Sequence, residues 1–83
     1  MVHSIFYKKS VQKDLRHIDK TIAEGLVDEF ESNFLNHPDI GEPLKGKFKG
    51  LFKYKTSDYR VIYTQIPEGI IVLRIGHRKD VYR

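Results

Sequence analysis

Closely spaced cationic side chains mark the last third of the chain. Lys53, Lys55 and Arg60 flank one short turn, and the string Gly76-His77-Arg78-Lys79-Asp80-Val81-Tyr82-Arg83 closes the sequence. Donor-rich cations can bind a phosphodiester, and a histidine or tyrosine beside them can transfer a proton. This set of residues therefore predicts chemistry on a phosphate ester.

Charge is distributed unevenly along the chain. Residues 1–44 carry five Lys or Arg against eight Asp or Glu, whereas residues 45–83 carry ten against three. A one-sided basic field attracts polyanions, and nucleic acid is a common polyanion in a cell. The asymmetry favours a nucleic-acid partner, with an ordinary solvated basic face as the alternative.

Length and composition fit a single domain, residues 1–83. Hydrophobic residues make up 40% of the chain and include five Tyr and five Phe, enough for a compact core at this size. The absence of cysteine fits a reducing compartment. The first nine residues contain no apolar signal segment, and no stretch approaches membrane-spanning length. We therefore expect a cytoplasmic protein without membrane contact.

Hydrophobic periodicity predicts one strand followed by two helices. The strand covers His3 to Lys8. Ser10 is expected to cap a short helix, and Asp19 a second helix that ends by Asn36. The second helix must stop there because a proline follows at position 38. The first helix buries Val11, Leu15 and Ile18, and the second buries Ile22, Leu26, Phe30 and Phe34, with Gly25 marking a close helix approach.

After a loop from Pro38 to Lys49, three strands are predicted as an antiparallel meander. They cover Leu51 to Lys55, Tyr59 to Ile66 and Ile70 to Ile75. Alternation along the strands predicts a core face with Phe52, Tyr54, Val61, Tyr63, Leu73 and Ile75 under the helices. The same alternation leaves Lys53, Lys55, Arg60 and Arg74 together on the open face. Four cations repel one another, so we expect an anionic ligand or partner among them.

Other kinds of site have little support in the sequence. His3, His17 and His37 show no metal-ligand spacing, so we predict no metal site and no cofactor. The chain contains no serine nucleophile elbow, and Gly46-Lys47-Phe48-Lys49-Gly50 is too short for a phosphate-binding P-loop.

Specific strings resemble the RelE/ParE toxin superfamily of toxin–antitoxin systems. These strings are Pro43-Leu44-Lys45-Gly46, Lys53-Tyr54-Lys55, Asp58-Tyr59-Arg60-Val61-Ile62-Tyr63 and Ile75-Gly76-His77-Arg78-Lys79-Asp80-Val81-Tyr82. The resemblance covers nearly the whole chain. It implies an α+β fold of the microbial-RNase-like type, in the order β-α-α-β-β-β, with a helical hairpin on one face of a four-stranded, mainly antiparallel sheet.

In its RelE branch, the resemblance implies a metal-independent endoribonuclease that cuts mRNA in the ribosomal A site. The substrate 2′-OH attacks the adjacent phosphate and leaves a 2′,3′-cyclic phosphate. The catalytic pattern of that branch matches Lys53, Lys55, Arg60, Arg78 and Tyr82. The implied partners are a RelB-like antitoxin, mRNA and the ribosome, with operator DNA bound only by the toxin–antitoxin complex.

We expect these side chains to divide the work. Arg60 and Arg78 hold the scissile phosphate, and Tyr82 orients the sugar or stacks on a base. Mutual repulsion is expected to lower a lysine pKa at Lys53 or Lys55, so that one of them accepts the 2′-OH proton. The predicted RNA contacts are Lys45, Lys47, Lys49, Arg74, Lys79 and Arg83.

Several alternatives stay open at this level. His77 is a second candidate for proton transfer, but strand parity also allows it to face the core as a packed, hydrogen-bonded histidine. Lys53 and Lys55 could be ordinary solvated strand lysines. At the level of function, a ParE-like member would inhibit DNA gyrase by binding, and a noncatalytic RNA- or DNA-binding module is the third possibility.

Overall fold

The computed structural model describes residues 4–81 of the 83-residue chain. In chain order the elements are β1 (Ser4–Tyr7), α1 (Lys9–Arg16), α2 (Lys20–Asn36), β2 (Glu42–Pro43), β3 (Leu51–Thr56), β4 (Tyr59–Ile66) and β5 (Gly69–His77). A 3-10 turn, Gly46–Phe48, lies between β2 and β3. The predicted order is confirmed, and the structure adds the two-residue β2 in a segment that we predicted as loop.

The strands form one mixed sheet of five strands in the order β1-β5-β4-β3-β2. β1 pairs with β5 in parallel, and the other neighbours are antiparallel. Gly69 begins β5 with φ 153°. A Cβ atom at Gly69 would lie 2.0 Å from the Ser4 carbonyl oxygen, so the close approach of β1 at this point requires glycine.

Helix α1 lies along the edge of β5 beyond the end of β1. The Lys8 N–H donates to the Val72 carbonyl (3.0 Å) and the Ser10 hydroxyl donates to the Leu73 carbonyl (3.2 Å). The prediction of Ser10 as N-cap was wrong, because the cap position is Lys8, which makes no side-chain cap bond. The hydroxyl instead satisfies a strand carbonyl. Val11 is buried as predicted, with Leu15 and Ile18 packed beside it.

Helix α2 begins and ends where the sequence predicts. The Asp19 carboxylate accepts hydrogen bonds from the N–H groups of Thr21 and Ile22, and the helix ends at Asn36. Leu26, Phe30 and Phe34 are buried, but Ile22 is 47% exposed, since it lies in the first turn at the rim of the core. A Cβ atom at Gly25 would meet open space, so the predicted helix contact was also wrong. Neither helix within residues 4–81 is long and apolar enough to span a membrane.

One bulge decides which residues of β5 face the core. Ile62 pairs with Arg74, but Tyr63 pairs with Val72, so Leu73 is an extra residue on β5. Alternation restarts at such a bulge. Val72 is therefore fully buried and Leu73 only half-buried, which corrects the prediction of Leu73 as a core residue.

The two faces of the sheet are distinct. The inner face lies under the helices and carries Phe52, Tyr54, Val61, Tyr63, Val72 and Ile75. Phe30 of α2 contacts Tyr54 and Tyr63, with ring centroids 5.2 and 5.8 Å apart. Burial of one such ring contributes about 2 kcal/mol to folding. The opposite side, which holds Lys53, Lys55 and Arg60, is called the outer face below.

Two tyrosines connect α2 to the sheet through hydrogen bonds. The Tyr7 hydroxyl donates to Glu31. The Tyr54 hydroxyl accepts from Asn33 (2.8 Å) and donates to Glu29 (3.0 Å). Burial raises the pKa of Tyr7 and of Tyr54, and the neighbouring carboxylates add to the effect. Both hydroxyls therefore stay protonated and keep donating at neutral pH.

Candidate functional site

Three of the predicted cations share the outer face of the sheet. Lys55 lies directly opposite Arg60 on the neighbouring strand, and Lys53 lies opposite Ile62. Residues directly opposite each other in an antiparallel pair point to the same side. The structure thus places Lys53, Lys55 and Arg60 on one surface, as the alternation of the strands predicted.

The Arg60 side chain reaches back to the turn between β3 and β4. Its Nη1 atom donates to the carbonyl oxygens of Ser57 (3.2 Å) and Tyr59 (2.8 Å). Ser57 adopts φ 54°, the left-handed conformation that this tight turn needs. The turn carbonyls hold the guanidinium group at the end of the outer face.

Arg78, which directly follows β5, contacts the same turn. Its N–H donates to the Asp58 carbonyl (2.8 Å), and its Nε atom lies 4.0 Å from the Asp58 carboxylate. The Arg78 side chain is 56% exposed. Arg60 and Arg78 therefore contact consecutive residues of one turn, and residues far apart in the chain meet at one end of the sheet.

A carboxylate that sequence reasoning missed lies between the two lysines. The Glu42 carboxylate is 3.7 Å from Lys53 Nζ and 3.6 Å from Lys55 Nζ. Glu42 lies on β2, directly opposite Lys53. Its negative charge offsets the repulsion between the two ammonium groups. The only available signal was the proline that follows Glu42, which is compatible with a short edge strand.

The loop that carries Glu42 is fixed to the core through Tyr63. A Cβ atom at Gly41 would lie 1.7 Å from the Tyr63 hydroxyl oxygen, so the loop backbone touches this buried ring directly. Burial raises the pKa of Tyr63, while the Gly41 backbone hydrogen bond lowers it. Glycine at position 41 therefore determines where Glu42 sits.

Arg74 lies opposite Ile62, on the side that alternation predicts, but its guanidinium turns to α1 and does not join the outer-face cations, which corrects that part of our prediction. Its Nε and Nη2 atoms lie 3.0 and 3.4 Å from the two carboxylate oxygens of Asp14 on α1. The same carboxylate accepts the Ile75 N–H at 3.1 Å. Asp14 thus binds both the Arg74 side chain and the β5 backbone, so Arg74 helps to hold α1 against the sheet.

His77 lies on the inner face. It is paired with Tyr59, and the two rings meet edge to face with centroids 5.8 Å apart. Its Nδ1 atom accepts the Lys79 N–H at 3.2 Å. The packed, hydrogen-bonded alternative for His77 matches the structure, and the sheet separates its ring from the outer-face cations.

The remaining predicted contacts form two groups. Lys45, Lys47 and Lys49 are exposed around the 3-10 turn before β3, at the Leu51 end of that strand. The Lys47 ammonium lies 5.3 Å from the centroid of the Phe48 ring. Lys79 is exposed beside Arg78. Tyr82 and Arg83 lie outside the described residues.

Next to the cations, the outer face carries an apolar row. The strand register aligns Leu51 with Thr64, Thr64 with Ile71, and Ile71 with Phe6. Phe6 is 48% exposed.

On the helical side, a groove of about 910 Å³ runs between α1 and α2 and includes Leu15, Ala23 and Val27. Among residues 4–81, no group of three or more His, Asp or Glu could hold a metal ion.

Comparisons with known proteins agree with this architecture. The family model described as the ParE toxin of type II toxin–antitoxin systems matches residues 5–82. A protein named Toxin RelE from Mycobacterium tuberculosis is 32% identical over 75 residues, which cover 86% of this chain and 76% of that protein.

Two solved structures have the same fold. The RelBE2 toxin–antitoxin complex from M. tuberculosis matches 94% of this chain and 100% of its own, with a TM-score of 0.83 and 22% identity. The isolated Escherichia coli RelE toxin matches 92% of this chain and 84% of its own, with a TM-score of 0.70 and 25% identity. The family match, the relative and the shared architecture lead to one conclusion: this chain belongs to the RelE/ParE superfamily of toxins of type II toxin–antitoxin systems.

Proposed function

We propose that this toxin is a metal-independent endoribonuclease that cuts mRNA in the ribosomal A site. The observation that carries the proposal is the pair Arg60 and Arg78, which contact consecutive residues of the turn between β3 and β4. Lys53 and Lys55 extend the same cationic surface. The relative named Toxin RelE supports the RelE branch of the superfamily.

The two arginines are suited to the phosphate. Each guanidinium has several donors in a fixed planar arrangement, and charge grows on the phosphate oxygens as the 2′-OH attacks. Arg60 is held by backbone carbonyls, which are neutral acceptors, so it keeps its full charge for the substrate. In this proposal, Tyr82 orients the sugar or stacks on a base beside them.

The lysines and Glu42 are placed to handle the proton of the 2′-OH. An ammonium group has no acceptor, whereas an ionised carboxylate only accepts. A lysine could accept the proton only after losing its own, so Glu42, within 3.7 Å of both ammonium groups, is a second candidate proton acceptor. A phosphate that binds Lys53 and Lys55 competes with Glu42 for them and releases the carboxylate. An ammonium group of Lys53 or Lys55 gives a proton to the leaving 5′ oxygen, so the products are a 2′,3′-cyclic phosphate and a free 5′-hydroxyl.

Single arginine variants test the phosphate role. Arg60→Ala and Arg78→Ala should each slow mRNA cleavage by about a hundredfold or more, the scale of losing one transition-state donor. Cleavage is measured with purified toxin and programmed ribosomes. Arg16→Ala, an exposed arginine on α1, is the matched control and should cut at the wild-type rate. Full activity of both the Arg60 and the Arg78 variant would contradict the assignment.

Gyrase inhibition is the second candidate, because the matching family model is named for ParE toxins. Induction in cells followed by primer extension separates the two. Codon-linked mRNA cuts support the nuclease. Supercoiling defects with intact mRNA support the gyrase inhibitor. If neither mRNA cuts nor supercoiling defects are seen, the result supports a noncatalytic RNA-binding module.

We further propose a RelB-like antitoxin as the partner in the cytoplasm. The M. tuberculosis structure of the same fold is itself a toxin–antitoxin complex. A segment with acidic and apolar side chains would complement both halves of the outer face, the cations and the apolar row that includes Phe6 and Ile71. Only the resulting complex is proposed to bind operator DNA.

A further inference from the structure

The turn that carries Arg78 is closed by hydrogen bonds that His77 accepts. The His77 carbonyl accepts the N–H groups of Asp80 (2.8 Å) and Val81 (3.0 Å), and His77 Nδ1 accepts the Lys79 N–H (3.2 Å). Arg78 lies between these contacts. Its own N–H donates to the Asp58 carbonyl at the turn before β4.

The Arg78 side chain is held only weakly by its contact with Asp58. It is 56% exposed, and its ionic contact to Asp58 is 4.0 Å long. A long exposed side chain has many rotamers, so its direction is set mainly by the backbone from which it starts. The geometry of residues 77–81 therefore decides whether Arg78 stays at the turn that Arg60 also contacts.

The His77 ring is well placed to control that geometry. It packs edge to face on Tyr59 and lines a small cavity of about 270 Å³ whose charged and titratable members are Asp14, His17, Tyr59, Arg74 and Asp80. A ring nitrogen that accepts an N–H carries no proton of its own, so this contact uses His77 Nδ1 as an acceptor. That ring faces the helices, across the sheet from the lysines.

We propose that His77 is a positioning residue for Arg78. The ring, anchored on Tyr59, accepts the Lys79 N–H and holds residues 77–81 so that Arg78 stays at the turn between β3 and β4, which Arg60 also contacts. Its effect on cleavage rests on the proposed function, because Arg78 matters there only if it binds the scissile phosphate. The hydrogen bond itself does not depend on that function.

The two nitrogens of the ring give a sharp test by substitution. Asparagine presents its amide oxygen close to the position of Nδ1 and can accept the N–H two residues ahead, whereas glutamine reaches the position of Nε2. We expect His77→Asn to cleave within about threefold of wild type. His77→Ala and His77→Gln should lower kcat by about tenfold with little change in KM, the scale of one lost positioning hydrogen bond. If His77→Asn is as slow as His77→Ala, the positioning role is wrong.

A second measurement does not require catalysis. Amide hydrogen exchange at Lys79 should be slow in wild type and in His77→Asn, and about tenfold faster in His77→Ala. Equal exchange in all three proteins would overturn the proposal, even if His77→Ala cuts RNA slowly. A wild-type protein that cuts no RNA but shows this exchange pattern would refute the proposed nuclease while supporting the positioning role. Thermal unfolding followed by circular dichroism confirms that each variant is folded.

Discussion

Gly41 is the residue at which local space matters most for the candidate site. Tyr63 is 1% exposed, and its hydroxyl occupies the volume into which a side chain at position 41 would project. The loop can therefore lie close to the core and continue into Glu42, the carboxylate between Lys53 and Lys55. One missing side chain connects core packing to the electrostatics of the outer face.

Replacement of Gly41 tests this connection. Gly41→Ala should lower the free energy of unfolding by about 2 kcal/mol, because the new Cβ atom overlaps a buried ring that cannot move freely. Chemical denaturation measures the change. Gly25→Ala is the matched control: its Cβ atom meets open space inside α2, so we expect a gain of about 0.5–1 kcal/mol. Equal stability of the Gly41 variant and wild type would show that the loop can shift.

At the residue scale, sequence reasoning found cations and missed carboxylates. Strand alternation placed Lys53, Lys55 and Arg60 on one face, since that pattern is local. Glu42, Asp14 and Asp58 are ion partners that come from other elements, and their positions depend on tertiary contacts. Nothing in the local sequence indicates which carboxylate meets which cation.

At the scale of elements, α1 completes the edge of β5 that β1 leaves open. Asp14 is central to this contact, because it accepts from the Arg74 guanidinium and from the Ile75 N–H. The Asp14 side chain is only 15% exposed. Interactions of this kind are stronger than surface ion pairs, since water competes less for the charged groups.

A double-mutant cycle measures this contact. Asp14→Ala should lower the free energy of unfolding by about 2 kcal/mol, because it leaves the Ile75 N–H without an acceptor and Arg74 without this carboxylate. The coupling energy with Arg74→Ala should be about 1 kcal/mol. Lys13→Ala, the exposed neighbour on the same helix, should change stability by less than about 0.5 kcal/mol. Additive effects of the Asp14 and Arg74 variants would contradict a direct link.

Element boundaries were predicted well and the bulge was not. Asp19 and Pro38 are strong local signals, so α2 begins and ends as predicted. The bulge at Leu73 has no such signal, because neither glycine nor proline marks it. A strict alternation rule therefore placed Leu73 in the core and Arg74 on the open face. The extra residue accounts for the error at Leu73, whereas Arg74 stays opposite Ile62 and leaves the outer-face cations because its guanidinium binds Asp14.

At the scale of the whole molecule, α2 exposes mainly acidic side chains and the outer face is basic, while α1 carries cations of its own. Acidic residues Glu24, Asp28 and Glu29 line α2, while the outer face and the loop before β3 carry lysines and arginines. An anionic strand that approaches the protein is thus directed toward the sheet. The charge asymmetry along the sequence predicted this polarity because the helices and the meander occupy separate halves of the chain.

Salt dependence of RNA binding tests the contribution of the loop. The triple variant Lys45→Ala, Lys47→Ala, Lys49→Ala should reduce the slope of log affinity against log salt by about 2, given about 0.7 per single-strand phosphate contact. Fluorescence anisotropy with a single-stranded RNA measures the slope. Lys9, Lys13 and Lys20 on the helices are exposed and offer a control triple to Ala with the same charge change. Equal slopes for the two triples would mean that net charge alone governs binding.

The two borders of the sheet are unusually short. Within residues 4–81, β1 at one side has four residues, and β2 at the other has two, one of which is Pro43. An unpaired edge strand can pair with another copy of the protein and start aggregation. A short edge strand and a proline both prevent such pairing. Concentrated preparations of this protein should therefore remain free of fibrils, although the broad cationic and apolar surface stays open to a partner.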